Sequence, residues 1–176
     1  MRNPFGYKVL RTYQQGEEIY TLTKHFTADH LRPIDDKRLI GHMNDSGRSI
    51  PRNIAEGYGR NNTKQYYEFL GFAFGSLIEL IEDCLTLEKE IQEGRRMTKD
   101  SKGKQREAEK MLRDIQRIIK LCMGEKTMLK NQMERIEKMV GEQGLVSANQ
   151  LAARGLAERR EKEKELDRWA ESLRHP

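Results

Sequence analysis

The chain has 176 residues, of which 36% are hydrophobic and 35% charged, with a formal net charge of +5 and two cysteines. That length holds one domain plus an extension, and so low an apolar content suits helical bundles and coiled coils, whose apolar residues are confined to stripes. No 18-residue apolar run and no charged-then-apolar leader occurs, which excludes a membrane-spanning helix and a signal peptide and sets a cytoplasmic expectation; Cys84 and Cys122 are read as reduced core thiols.

After a short lead-in, Tyr7 to Phe26 recurs in a helical period, with Val9, Tyr13, Gly16, Tyr20 and Thr23 flanked by Leu10, Ile19, Leu22 and Phe26. Pro33 suits the first turn of a second helix, expected from about Ile34 to Tyr58 with Ile40, Met43, Gly47, Ile50 and Ile54 as its apolar stripe. Pro51 lies inside that stripe and predicts a bend, while Gly57 and Gly59 predict a helix end in a positive-φ conformation. Asn62 or Thr63 caps a third helix reaching about Gln92, on which two apolar lines mark a central position. Gly71, Ala73, Gly75 and Ser76 interrupt its apolar run. Each interior glycine costs roughly 1 kcal/mol against alanine, so these residues predict a close approach by the Ala55 to Gly59 end of helix two.

Residues 93–103 read as a polar loop, and a fourth helix follows with Leu112, Ile115, Ile119, Cys122, Leu129, Met133, Ile136 and Val140 as its stripe, interrupted at Lys126. Gly124 is a candidate bend, and Glu142 to Gly144 a break. Ser147 then caps a last, charge-alternating helix whose apolar edge is Leu166, Trp169, Ala170 and Leu173. The fold class expected is all-α: an antiparallel up-and-down four-helix bundle over residues 1–140 with a charged helical extension over 141–176. Charge is unevenly spread, since residues 61–93 carry 2 Lys+Arg against 7 Asp+Glu and residues 94–140 carry 14 against 7.

The string Ser49-Ile-Pro-x-Asn-Ile-Ala-Glu-Gly-x-Gly-Arg60, followed by Phe69-Leu70, Ala73, Gly75-Ser76-Leu77 and Glu79, resembles the small bacterial four-helix bundle proteins first described as products of intervening sequences in large-subunit ribosomal RNA genes. The accessory proteins of diversity-generating retroelements are similar to these. The resemblance spans roughly residues 5 to 135, and residues 130–145, KNQMERIEKMVGEQGL, with the charged end beyond them, resemble more weakly the C-terminal suffix segment of some members. It implies a homopentamer with a positively charged surface, and a non-enzymatic role in binding nucleic acid and a reverse transcriptase.

The residues themselves carry little catalytic chemistry. No His has a Glu three positions before it, as a di-iron bundle needs, and no phosphate-binding loop, nucleophile elbow or Cys-x-x-Cys pair occurs. His25 and His30 are read as solvated, and Glu56 and Glu79 as buried structural anchors for Arg52, Arg60 or backbone amides. No enzyme, cofactor or metal is expected. What remains is basic surface. Lys37, Arg38, Arg48, Arg52 and Arg60 gather on helix two, and Arg95, Arg96, Lys99, Lys102, Lys104, Arg106 and Arg113 run from the loop onto helix four. Such clusters bind phosphates with strong salt dependence and little sequence reading. The expectation is an oligomeric accessory protein that binds structured RNA, or RNA with a reverse transcriptase, mainly through phosphates. The alternative is a protein-interaction scaffold whose charges only keep it soluble.

Overall fold

The computed structural model describes residues 5–60, 62–96 and 102–145, without the side chains of 102–104 and 141–145. A 3-10 turn, Gly6–Val9, leads into four helices: α1 (Arg11–His30), α2 (Lys37–Gly59), α3 (Thr63–Gln92) and α4 (Lys102–Leu145). The chain divides into two units, Met1–Ile136 and Glu137–Pro176, and the bundle is the first. The helix expected from Ser147, with Trp169 and its neighbours, lies outside the described residues.

Side-chain bonds between helices give the topology. Thr27 meets Asn44, and Ser46 of α2 donates to Glu79 of α3. Gln116 of α4 donates to Glu88 of α3, and Thr12 of α1 donates to Gln132 of α4. In every pair low numbers on one helix meet high numbers on the next, so successive helices run antiparallel and α4 closes back on α1. This is the up-and-down four-helix bundle. Helices α2 and α4 occupy one diagonal, α1 and α3 the other.

The α2 stripe folds inward as its period predicts: Met43, Ile50 and Ile54 are fully buried. Pro51 does not interrupt the helix; it packs instead on α1, where a side chain at Gly16 would meet the Pro51 ring at 3.4 Å and Ile50 at 3.2 Å. Asn62 caps α3 by accepting a hydrogen bond from the Lys64 amide at 2.8 Å.

Three expectations about glycines are corrected. Gly71 and Gly75 have nothing within 4 Å of where a side chain would stand, so they are not the site of close helix approach. That site is Gly57, where a Cβ would lie 2.6 Å from the Phe69 Cβ and 3.0 Å from the Tyr66 ring. Gly57 and Gly59 do not end α2 through positive φ; among the described residues that conformation belongs to Gly94, after α3. Nor does the chain break at Glu142 to Gly144, since α4 runs on through these residues to Leu145.

Helix α4 also buries a different line from the one its sequence suggests. Met111, Ile115, Ile118, Cys122, Leu129 and Ile136 are buried, while Leu112, Ile119 and Met133 are only half-buried at its edge. The buried line advances by alternating steps of four and three and therefore passes through Glu125, not Lys126; Glu125 is fully buried. The carboxylates expected to be buried are not: Glu56 is exposed and pairs with Arg60, and Glu79 is exposed and accepts from Ser46. The cysteines are free and buried, as expected.

The α2–α3 contact makes an internal comparison possible within one helix. Replacing Gly57 by Ala overpacks the Phe69 contact and is expected to cost about 1–3 kcal/mol. Replacing Gly41 by Ala, in open space on the same helix, is expected to stabilise by about 0.5–1 kcal/mol. Urea unfolding of both variants checks the opposite signs.

Candidate nucleic-acid interface

The cations of α2 follow from the same helical geometry that buries its stripe. At 3.6 residues per turn, Lys37, Arg38, Arg48 and Arg52 fall within a sector of about 100° on the side away from Ile50 and Ile54. All four are exposed, and no carboxylate among the described residues forms an ion pair with any of them. Gly41 and Gly59 lie on the same side, each with open space where a side chain would stand. Asp45 and Glu56 share this face, but Glu56 is engaged by Arg60. From Lys37 to Arg52 the helix rises about 22 Å, the axial length of about six phosphates along one strand of a duplex.

The other candidate cations divide. Arg60 pairs with Glu56 and lies over the Phe69 ring at 4.9 Å, so it fastens the α2–α3 corner. Arg95 pairs with Glu93. Arg96 is held between Asp36 Oδ1 at 2.9 Å and Glu90 Oε2 at 2.6 Å, tying the start of α2 to the end of α3. Burial pushes the Asp36 carboxyl up, but the Arg32 amide and the Arg96 guanidinium outweigh it and hold the group below its usual range. Arg106 and Arg113 are exposed on the outer side of α4, seven residues apart, without an ion pair among the described residues, and Lys120 continues their line. Lys99 lies outside the described residues, and Lys102 and Lys104 enter only as backbone in the first turn of α4. The structure therefore brings together two unpaired basic faces, one on α2 and one on α4, at opposite corners of the bundle.

Of the two histidines expected to be solvated, His25 is exposed and His30 is not. The His30 side chain is only 4% exposed, with Nε2 2.8 Å from Asp114 on α4. His42 Nδ1 lies 2.6 Å from Asp83 on α3. No group of three His, Cys, Asp or Glu among the described residues is arranged to hold a metal ion, and no described helix is long and apolar enough to cross a membrane.

The residues of the Ser49–Arg60 string are thus mostly a packing device: Ile50 and Pro51 meet Gly16, Ile54 fills the core, Gly57 admits Phe69, and Arg60 clasps the corner. The model of the 23S rRNA-intervening sequence protein family matches residues 9–99, a little over half of the chain. The chain belongs to that family. The match takes in α1, α2 and α3 and stops short of α4. No curated protein matches the chain.

The hydrogen bond to Asp83, with its charge, raises the His42 pKa above 6.5. Because the folded value is the higher one, the His42–Asp83 link contributes fully below pH 6.5 and is lost as pH rises through the raised value. Proton-detected titration of the imidazole is expected to give a value above 6.5 in the native chain, and a lower one in Asp83→Asn.

Proposed function

We propose that this protein is a non-enzymatic, self-associating accessory protein that binds structured RNA through its phosphates, in company with a reverse transcriptase. The observation that carries the reading is the α2 face, where Lys37, Arg38, Arg48 and Arg52 are exposed and unpaired. A carboxylate that neutralises a cation removes the counterion release that drives phosphate binding, so these four outrank Arg60, Arg95 and Arg96 as phosphate ligands. The family's name, which refers to 23S rRNA, supports RNA as the nucleic acid. The reverse transcriptase rests on the resemblance to retroelement accessory proteins alone.

Self-association is supported by α3. Phe72 is 60% and Leu85 38% exposed, and Gly71 and Gly75 leave the helix surface there smooth. Exposed apolar area on the most apolar helix of the bundle, beside the exposed Glu68, Glu79 and Glu82, favours a protein contact. That observation also favours the second reading, a protein-interaction scaffold without an RNA role. The two basic faces lie at opposite corners, so a self-associated form would present several to one RNA.

Affinity for a labelled RNA hairpin, measured over a salt series with mass determined by light scattering, tests the reading. Substitution of Lys37, Arg38, Arg48 and Arg52 by Ala is expected to weaken binding and to reduce the slope of log K against log salt by about 0.7–0.9 for each phosphate no longer neutralised. Arg96→Ala is expected to leave the slope unchanged. A folded wild-type oligomer that does not bind at low salt would leave the scaffold reading in place.

A further inference from the structure

Among the described residues, the interior of the bundle holds one carboxylate without a partner. Glu125 is fully buried, and neither of its side-chain oxygens has a hydrogen-bond partner. It stands on the core line of α4 between Cys122 and Leu129, where the heptad places an apolar side chain. An ionised carboxylate buried alone is far costlier than an uncharged one, so the packed position selects the protonated form.

Among the described residues, nothing around it offers a counter-charge. The buried residues of α1, α2 and α3 include no charged side chain. The titratable groups facing the same interior are the Cys84 and Cys122 thiols, both pushed up by burial, and Tyr66, which accepts from Gln132. His30 and Asp114 bond to each other farther along the α1–α4 seam. Near Glu125 that seam is held by bonds that water can replace: Gln15 donates to the Leu121 carbonyl at 2.8 Å and Thr12 to Gln132 at 3.2 Å. The next residue is Gly124, whose missing side chain leaves room for the Gln15 amide, 3.0 Å from where a Cβ would stand.

We propose that Glu125 is a proton-operated latch on α4, which when uncharged lets the helix close the bundle and when ionised opens the α1–α4 seam to water. Burial pushes its carboxyl up to about 8 from an ordinary 4.5. The folded value is the higher, so closure is fully favoured below pH 4.5, is lost progressively as pH rises to about 8, and changes little beyond. Within that window the opening constant rises about tenfold per pH unit. The unpaired line Arg106, Arg113 and Lys120 rides on the helix that moves.

Cys84 and Cys122 report the opening. Their reaction with 4,4′-dithiodipyridine is measured on the full chain from pH 5 to 9, each rate divided by that of the denatured chain at the same pH. The ratio is expected to rise at least 50-fold from pH 5 to 8 and then level off, with the helical circular dichroism retained. Glu125→Gln and Glu125→Met, both keeping His30 and Asp114, are expected to flatten the profile. A flat wild-type profile, an equal rise in the folded variants, or loss of helix in step with thiol exposure would overturn the latch.

Discussion

Helix α2 sits where it does because Gly57 has no side chain. With a Cβ at that position 2.6 Å from the Phe69 Cβ, any larger residue forces α2 and α3 apart. The contact fixes the rotation of α2 at its C-terminal end, and the Pro51 packing on Gly16 fixes it one and a half turns earlier. Once Ile50 and Ile54 are directed inward by these two contacts, Arg48 and Arg52 can only point out. Steric fit in the core thus decides where the cations stand.

Ion pairing then decides which cations are free. Arg60 and Arg96 are spent on holding elements together, the first across the α2–α3 corner and the second between the start of α2 and the end of α3. The faces left unneutralised are on α2 and α4, while α3 turns acidic and apolar residues outward. Such a distribution separates a surface suited to phosphate from one suited to protein. A bundle with one basic corner, an opposite basic corner and an acidic, partly apolar side between them has the surfaces an adaptor requires.

Much of this is legible in the sequence, for reasons that are local. The apolar period of α2, the Asn62 cap and the Ser49–Arg60 string depend on residues within a few turns of each other. What is not legible depends on partners far along the chain. Gly57, Gly71 and Gly75 are equivalent as composition, and only the position of Phe69 distinguishes the first. On α4 the line through Leu112, Ile119, Lys126 and Met133 lies about 100° from the one through Met111, Ile118, Glu125 and Gln132. Each is a heptad line with one charged member, so the neighbouring helices choose between them. Arg96 looks like a loop cation because its partner Asp36 is 60 residues away. The buried state of Glu125 carries no local signal at all, since Glu is a good helix former wherever it stands.

RNA is proposed to lie along the outward face of α2. The most direct measurement is titration of isotope-labelled protein with an RNA hairpin, read as chemical-shift changes along the backbone and at the arginine side chains. Changes are expected to concentrate at Lys37, Arg38, Arg48 and Arg52, with α3 from Glu68 to Glu82 unaffected. Changes centred on α3, or none on α2 at saturating RNA, would contradict it.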